Sequence, residues 1–390
     1  MRKIRVRGGI PLIGEITVSG SKNAALPIIF SCILINGVSE IENLPDIGDT
    51  RVALEILRNL GAEISKEGSK TYLDTRHMAY SKPDGSLSRK IRASTYLLGA
   101  CLGRFGVCHL QSFGGCNFSH RPIDMHISAS LSLGCRQEAD SLVGKPSGGE
   151  IHLKKPSVGA TVNSILMAAV AEGKTEISGV AREPHIDCLV DFLLSAGADI
   201  TPTDGGYKIV GRELHGGKIR VIDDMIEAGS YLALALLTEG RVTVKNSPTD
   251  EMTSFLEVVT RVDREPVNVV ARPYPDFPTD LQPIVAPLLA KYRGGKISDT
   301  IWEKRLGYLD KLASFGVKSN VSQNYAEIFP SHIHSGITSA PDLRGGFACL
   351  MCALMAEGES IIYSPEIILR GYEDLDKKLS ALGAEIIIEG

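Results

Sequence analysis

The stretch "ILRNLGAEI", residues 56–64, decides how this chain folds, because similar stretches recur four more times. The other copies are "SLSLGCRQ" (130–137), "FLLSAGADI" (192–200), "KLASFGVKS" (311–319) and "KLSALGAEI" (378–386). Each copy reads as the end of a helix, a glycine and the start of a strand, which is typical of a helix with a glycine C-cap. The spacing is fairly even apart from one gap of nearly twice the usual length. The sequence therefore predicts six repeats, one of them altered.

A second pattern lies upstream of the copies. It is a helix rich in Ala, Leu and Ile, closed by a glycine and followed by a strand, as in "ALPIIFSCILINGVSEIENL" (25–44), "VNSILMAAVAEGKTEISGV" (162–180), "YLALALLTEGRVTVKN" (231–246) and "ACLMCALMAEGESIIYS" (348–364). A helix that is apolar on all sides is buried on all sides. We therefore expect closed units with helices inside and strands outside rather than an open solenoid. The altered copy is the fourth, which should follow residues 244–262 but lacks the glycine motif and its strands.

Composition limits the functional classes. The chain has 390 residues, 43% of them hydrophobic, which predicts two or three domains. The net charge of −4 and the pI of about 6.2 give no indication of a nucleic-acid partner or of an acidic membrane surface. No apolar run reaches the roughly 18 residues of a membrane span. The start, "MRKIRVRGGIPLIGEI", alternates like a strand and lacks the apolar core of a signal peptide, so we expect a cytoplasmic protein.

The eight cysteines are scattered, apart from Cys349 and Cys352, as expected for reduced thiols in a cytoplasm. These two lie in "GGFACLMCALMAEG", which reads as a buried helix rich in small residues. A redox or metal role would need partner ligands at suitable spacing, and the sequence offers none. We expect the pair to be structural.

The starts of the buried helices carry polar residues: Lys22 and Asn23, Arg92, Lys155 and Ser157, Asp224 and Glu227, Asp280, and Asp342 and Arg344. A helix N-terminus offers free N–H groups and partial positive charge, so it is a natural anion site. N-capping accounts for the Ser and Asp residues but not for the Lys and Arg residues. If these ends converge, they form a cationic cleft for an anionic ligand.

One cysteine has unusual neighbours. Cys116 lies in "FGGCNFSHRPIDMHI" (113–127), after two glycines and near Arg121 and His126. Glycines leave a loop conformational freedom, and an electropositive setting favours thiol chemistry. Two interpretations remain open on this segment alone. The thiol takes part in chemistry, or it is a loop residue beside an arginine that binds phosphate or carboxylate.

Five motifs in register resemble the family of UDP-N-acetylglucosamine enolpyruvyl transferases (1-carboxyvinyltransferases). They are "SGSKNAALP" (19–27), "GGCNFSHRPIDMH" (114–126), "KKPSVGATV" (154–162), "FPTDLQ" (277–282) and "LRGYE" (369–373). The resemblance covers nearly the whole chain. The related shikimate-pathway (EPSP synthase-like) enolpyruvyl transferase shares the six-repeat fold but has no cysteine loop of this kind. Cys116 and Asn23 therefore favour the sugar-nucleotide family.

The resemblance implies an α/β (α+β) fold, a two-domain inside-out α/β barrel. It would contain six βαβαββ-type units with buried parallel helices, the fourth of them truncated. One domain would be discontinuous, residues 1–20 with 225–390, and residues 21–224 would form the inserted domain. Each domain would hold three units, and the active site would lie in the cleft between them.

The implied reaction transfers enolpyruvyl from phosphoenolpyruvate to the 3-hydroxyl of UDP-N-acetylglucosamine and releases phosphate, in the first committed step of peptidoglycan synthesis. It needs a general acid, a general base and cations. Cys116 aligns with the family's proton-donating thiol, the residue alkylated by fosfomycin, and Asp280 aligns with the base. Lys22 completes the catalytic set. No metal or cofactor is implied, because arginine and lysine supply the charge.

The resemblance also implies binding residues. Those for phosphoenolpyruvate are Lys22, Arg121, Arg344 and Arg370. Those for the sugar nucleotide are Asn23, Arg92, Arg121, Pro122, Ile123, Asp124, Met125, His126, Lys155, Pro156, Ser157, Val158, Gly159, Asp280 and Ile301. The two substrates are the only expected partners, with no nucleic acid and no membrane, and we expect a monomer.

Three features depart from the family pattern: the loop Asn117-Phe118-Ser119-His120, Tyr96 where Trp is frequent, and the shortened fourth repeat. The altered loop leaves the acceptor open, so a paralogue with another nucleotide acceptor is one alternative. A shikimate-type enzyme is a second alternative. A non-catalytic, sugar-nucleotide-binding regulator is a third, and the presence of Cys116, Asp280 and Lys22 argues against it.

Overall fold

A computed structural model describes residues 2–110, 113–114 and 122–390. The contacts among these residues divide the chain into two compact units, each with its own hydrophobic core. We call residues 2–19 with 223–390 the discontinuous unit, and the described part of residues 20–222 the inserted unit.

The discontinuous unit begins with two strands, β1 (Lys3–Gly8) and β2 (Ile13–Thr17). The inserted unit then contains three repeats. The first holds α1 (Lys22–Ser31), β3 (Val38–Glu42), α2 (Gly48–Asn59), β4 (Glu63–Glu67) and β5 (Lys70–Asp74). The second holds α3 (Gly85–Ser88), α4 (Leu97–Phe105), β6 (Val107–His109), α5 (Asp124–Ser132), β7 (Arg136–Glu138) and β8 (Ser141–Val143). The third holds β9 (Ser147–His152), α6 (Val158–Ala169), β10 (Glu172–Ser178), α7 (Pro184–Ser195), β11 (Asp199–Pro202) and β12 (Gly206–Val210). Strand β13 (Lys218–Arg220) closes the inserted unit.

The discontinuous unit resumes with the other three repeats. The fourth holds α8 (Met225–Leu237), β14 (Arg241–Lys245) and α9 (Thr253–Val259). The fifth holds β15 (Val267–Ala271), α10 (Gln282–Lys291), β16 (Gly295–Asp299), α11 (Leu309–Leu312), β17 (Lys318–Val321) and β18 (Tyr325–Phe329). The sixth holds β19 (Ile337–Ser339), α12 (Leu343–Met355), β20 (Gly358–Tyr363), α13 (Pro365–Ile368), α14 (Leu375–Ala381) and β21 (Glu385–Glu389).

The four-stranded sheets share one plan, in which two parallel strands are followed by an antiparallel pair. Their orders are β13-β3-β5-β4, β9-β10-β12-β11, β15-β16-β18-β17 and β19-β20-β1-β21. In the last sheet β1, from the start of the chain, takes the third place and pairs antiparallel with β20 and β21. In the described part of the second repeat there are three strands, and the fourth repeat is reduced to the parallel pair β2 and β14. The expected truncation of the fourth repeat is confirmed.

The recurring glycine of each motif copy has a left-handed backbone, as a C-cap requires. The φ values are 95° at Gly61, 79° at Gly134, 98° at Gly197, 88° at Gly316 and 92° at Gly383. In four copies, the N–H of the residue after the glycine donates to a carbonyl five residues earlier, as Ala62 does to Leu57. This bond is the mark of a Schellman motif. The sequence pattern therefore identified the ends of these outer helices correctly.

The central helices are buried as their composition indicates. Helix α12 is buried from Leu343 to Leu354, and α1 and α6 are buried from Ala24 and Ala160 onward. Cys349 and Cys352 are fully buried on α12, as predicted for a buried helix rich in small residues. Within the described part of the chain, no helix is both long and apolar enough to cross a membrane.

Candidate functional site

In the discontinuous unit, a cluster of charged side chains joins the starts of α10 and α12. We call Asp280, Asp342, Arg305 and Arg344 the Asp280 cluster. Arg344 donates from Nε and Nη2 to Oδ2 of Asp280, at 3.3 Å in each case. Arg305 donates from Nη2 to Oδ1 of Asp280 and from Nη1 to Oδ1 of Asp342, both at 3.4 Å. Each carboxylate oxygen of Asp280 thus accepts hydrogen bonds from one of the two arginines.

Local sequence explains how the cluster is assembled. Asp342 caps α12 by accepting hydrogen bonds from the backbone N–H groups of Arg344 and Gly345, so Arg344 lies in the buried first turn of that helix. Asp280 lies two residues before the first residue of α10. Arg305 opens a short 3₁₀ turn that follows β16. The cap therefore positions Arg344, and the segments before α10 and after β16 bring Asp280 and Arg305 to it.

Burial differs sharply within the cluster. Arg344 is 1% exposed and Arg305 is 3% exposed, whereas the side chain of Asp280 keeps 30% of its surface accessible. The N···O distances of 3.3–3.4 Å are longer than those of the strongest charge-assisted bonds. Asp280 is thus a carboxylate that solutes can reach, held between two buried cations. Such a group can accept a proton from a bound hydroxyl.

Tyr372 links this cluster to α8. Its hydroxyl lies 2.9 Å from Oγ of Ser230, in the second turn of α8, and the guanidinium of Arg344 lies 5.4 Å from its ring centroid. Burial raises the pKa of Tyr372 to about 12, so it is a neutral phenol at physiological pH. The starts of α10 and α12 and the second turn of α8 therefore lie close together. This is part of the predicted convergence, and the convergence of all six helix starts stays a prediction.

Two further predicted residues lie in the same unit. Arg370 precedes Gly371, which packs closely against the start of α12. A Cβ added at Gly371 would lie 2.7 Å from Cδ2 of Leu343, the first residue of that helix. Ile301 donates its backbone N–H to Oδ1 of Asp299 at 2.8 Å. Asp299 also accepts the hydroxyl of Thr279 at 2.6 Å, next to Asp280. Asp299 therefore fixes the segments that carry Ile301 and Asp280.

In the inserted unit, Lys22 is the first residue of α1, and its Nζ lies 3.5 Å from Oδ2 of Asp49. Asp49 is buried in the first turn of α2, so the pair ties α1 to α2. Asn23 follows Lys22 on α1 and is partly buried. Both residues thus stand at a helix start, as expected.

Arg92 begins a 3₁₀ turn, Arg92–Tyr96, that leads into α4. The hydroxyls of Ser94 and Thr95 donate to carbonyls three residues earlier, which favours this tighter turn over an α-helical one. Burial lowers the pKa of Arg92. The start of the second buried helix is therefore a 3₁₀ segment.

Beside it lies His126, buried on α5, with Nδ1 2.7 Å from Nδ2 of Asn163 on α6. Burial, followed by the charge of Arg92, lowers the pKa of His126 to about 4. The ring is therefore neutral at physiological pH. Ser157 caps α6 by accepting the N–H of Ala160.

The other predicted residues of this unit lie around these helix starts. Val158 and Gly159 open α6, and Lys155 and Pro156 precede it on exposed backbone. Pro122 and Ile123 precede α5, Asp124 is its exposed first residue, and Met125 packs against the core. Cys116 and Arg121 lie outside the described residues. The predicted roles of these residues stay predictions.

Sequence reasoning missed several members of the site: Arg305, Tyr372, Asp299, Asp49 and Asn163. Tyr372 stood inside the quoted motif "LRGYE", and Asn163 is a polar residue in an otherwise apolar helix, so both carried a signal. Arg305 carried none, because it occupies an ordinary amphipathic stretch. Among the described residues, no group of three or more His, Cys, Asp or Glu side chains could hold a metal ion.

Comparisons with known proteins show what the whole chain is similar to. A family model for EPSP synthase (3-phosphoshikimate 1-carboxyvinyltransferase) matches residues 6–265 and 255–379. UDP-N-acetylglucosamine 1-carboxyvinyltransferase of Halothermothrix orenii is 37% identical over 411 residues and covers 99% of each chain. UDP-N-acetylglucosamine 1-carboxyvinyltransferase 2 of Staphylococcus aureus is 35% identical and covers 99% of this chain and 98% of that one.

Solved structures give the fold class. The enolpyruvyl transferase NikO from Streptomyces tendae has a TM-score of 0.89 at 24% identity, with 100% of this chain and 99% of that chain covered. EPSP synthase from Acinetobacter baumannii has a TM-score of 0.74 at 14% identity, with both chains fully covered. At these identities the likeness shows the fold alone. The predicted inside-out α/β barrel is confirmed.

Proposed function

Because the chain belongs to the EPSP synthase family of enolpyruvyl transferases, we propose that it transfers enolpyruvyl from phosphoenolpyruvate to the 3-hydroxyl of UDP-N-acetylglucosamine. Phosphate is the second product, and the reaction is the first committed step of peptidoglycan synthesis. The observation that carries this proposal is the full-length similarity to relatives named for that activity. The proposed setting is the cytoplasm.

The reaction sets clear demands. A C–O bond forms between the sugar oxygen and C2 of phosphoenolpyruvate, while the methylene carbon gains a proton and the hydroxyl loses one. The resulting tetrahedral ketal bears both phosphate and carboxylate. It then loses a proton from the new methyl group and breaks its bond to the phosphate oxygen. The site must therefore offer an acid, a base and several cations.

Asp280 is the proposed base. Its accessible carboxylate and its two buried arginine partners support this role, because nearby cations favour the ionised form of a carboxylate. Cys116 is the proposed general acid, on the resemblance of its loop to the family motif. Lys22, Arg121, Arg344 and Arg370 are the proposed cations for the phosphate and carboxylate of phosphoenolpyruvate.

The sugar nucleotide is proposed to contact helix starts of the inserted unit together with residues of the other unit. Its ligands would be Asn23, Arg92, residues 121–126, residues 155–159, Asp280 and Ile301. We also propose domain limits at residues 20/21 and 224/225, which the division of contacts after residues 19 and 222 supports. The identity of the acceptor is the part of the proposal that most needs a direct test, because the loop of residues 117–120 departs from the family pattern.

A phosphate-release assay with phosphoenolpyruvate and a small panel of acceptors tests the proposal. UDP-N-acetylglucosamine should give sustained release, and shikimate 3-phosphate should give none. Release only with another nucleotide would reassign the acceptor. Release only with shikimate 3-phosphate would make the chain a shikimate-type enzyme, and calorimetric binding without release would make it a regulator.

A further inference from the structure

The amide of Asn163 has only one possible orientation. Oδ1 lies 2.7 Å from the backbone N–H of Gly99, which can only donate, and Nδ2 lies 3.1 Å from the carbonyl of Thr95, which can only accept. Asn163 is fully buried on α6, so water does not substitute for either partner. Two backbone groups therefore fix which end of the amide is nitrogen.

That orientation determines the tautomer of His126. Nδ2 of Asn163 lies 2.7 Å from Nδ1 of His126, and an amide NH₂ can only donate. Nδ1 must therefore accept, and the proton of the neutral ring is on Nε2. A proton on Nδ1 would place two donors against each other in the core.

Nε2 of His126 lies against the first turn of α6. A Cβ at Gly159 would be 2.9 Å from Cε1 and 3.2 Å from Nε2, so only glycine lets the ring sit there. His126 is 4% exposed, and among the described residues no hydrogen bond involves Nε2. The backbone N–H groups of Val158 and Gly159 likewise make no hydrogen bond with described residues. Three donors thus gather at the start of a twelve-residue helix.

From this geometry we propose that Asn163 is a positioning residue that holds His126 in the Nε2–H tautomer, as a hydrogen-bond donor to an oxygen of the sugar-nucleotide acceptor. The Nε2–H group of His126 and the free N–H groups of Val158 and Gly159 all donate. The ligand oxygen that they bind therefore belongs to a phosphate or carbonyl group, both of which accept without donating. This inference rests on the proposed function for its ligand. The tautomer follows from the fold alone.

Long-range ¹H–¹⁵N correlation spectra of the full chain, labelled at histidine, test the tautomer directly. The His126 signals are identified by their loss in His126→Gln. We expect Nε2 to be protonated and Nδ1 to be unprotonated in the wild type. In Asn163→Leu, which is similar in size but has no amide, both tautomers should appear. A protonated Nδ1 in the wild type would overturn the proposal.

A pair of substitutions tests the donor. The amide nitrogen of Gln reaches the place of Nε2, whereas that of Asn reaches only the place of Nδ1. We expect His126→Asn to raise KM for UDP-N-acetylglucosamine by roughly 10- to 100-fold, the scale of a hydrogen bond to a charged group. KM for phosphoenolpyruvate should not change. In His126→Gln, which keeps a donor at the place of Nε2, the KM for UDP-N-acetylglucosamine should stay close to the wild-type value. His152→Gln, an exposed histidine of β9, is the control.

The outcomes separate the two proposals. A wild type that releases no phosphate overturns the proposed function, whatever the tautomer. A wild type that turns over, with equal acceptor KM in His126→Asn and His126→Gln, overturns the donor role alone. Parallel rises in both KM values would show that His126 is only structural.

Discussion

Arg344 directs two of its N–H groups at a single oxygen of Asp280, at 3.3 Å each, from a guanidinium that is almost wholly buried. The aspartate itself remains partly accessible. A carboxylate that must take a proton beside an anionic substrate needs local positive charge to stay ionised. The relationship therefore places a permanent cation behind the proposed base, where solvent does not screen it.

Replacing Asp280 by Asn should leave nucleotide binding nearly intact and lower turnover by about a hundredfold or more, the usual scale for a positioned base. Asn keeps the shape and can still hydrogen-bond the hydroxyl, but it cannot take the proton. Calorimetry measures binding, and phosphate release measures turnover. Asp276→Asn, on an exposed part of the same loop, should behave like the wild type. Wild-type turnover in Asp280→Asn would move the base elsewhere.

Cys116→Ala should abolish turnover, whereas Cys116→Asp should retain some activity, because a carboxylic acid can also donate a proton. Fosfomycin should alkylate Cys116 in the wild type. The other seven cysteines are buried, so peptide mass spectrometry should find the adduct on the Cys116 peptide alone. Full activity in Cys116→Ala would contradict the assignment.

Arg305→Met should destabilise the discontinuous unit by about 3–5 kcal/mol, the cost of removing one partner from a buried ion pair. The substitution keeps an unbranched apolar side chain but removes the guanidinium, which leaves buried Asp342 without its ion-pair partner. Urea unfolding measures the loss. Arg264→Met is the control, because that side chain is 79% exposed. A loss no larger than that of Arg264→Met would show that the pair contributes little.

His126 should make the protein less stable in acid. Its pKa is lowered to about 4 by burial and then by the charge of Arg92, with Asp124 opposing, whereas an unfolded chain has a value of about 6.5. Between these values only the unfolded chain binds the proton. The neutral His126 ring therefore contributes fully to the free energy of unfolding above pH ~6.5. This contribution is lost as the pH falls towards 4, by at most about 3 kcal/mol.

Urea midpoints between pH 7 and 4.5 measure this loss. His126→Gln should show a shallower decline than the wild type, and His152→Gln should show the wild-type slope. Equal slopes in all three proteins would rule out His126 as the group that titrates.

Gly197→Ala should destabilise the inserted unit by about 1–2 kcal/mol, because φ is 98° there and an L side chain is strained in that region. The site itself has room for a methyl group. Gly205→Ala is a matched control in the same unit, since it is equally open but has no positive φ of this kind. Thermal unfolding should separate the two, and equal midpoints would contradict the role of φ.

The sequence predicted features that local chemistry determines. Gly61 and Gly383 were identifiable because a C-cap depends on a few neighbouring residues, and the buried helices were identifiable because they lack a polar stripe. The Asp280 cluster was only partly predictable. Asp280 and Arg344 are 64 positions apart and were linked by resemblance, whereas Arg305 has meaning only through contacts that no local pattern encodes. The tautomer of His126 needed the positions of two backbone groups, one in α4 and one in the 3₁₀ turn before it.

The third place of β1 in the last sheet has a consequence for synthesis on the ribosome. Strand β1 lies between β20 and β21, so that sheet cannot close until residues 385–389 have left the exit tunnel. The described strands of the inserted unit have no such dependence, since they all pair within residues 20–222. This unit can fold while the rest of the chain is still being made, and β1 waits unpaired until β20 and β21 have emerged.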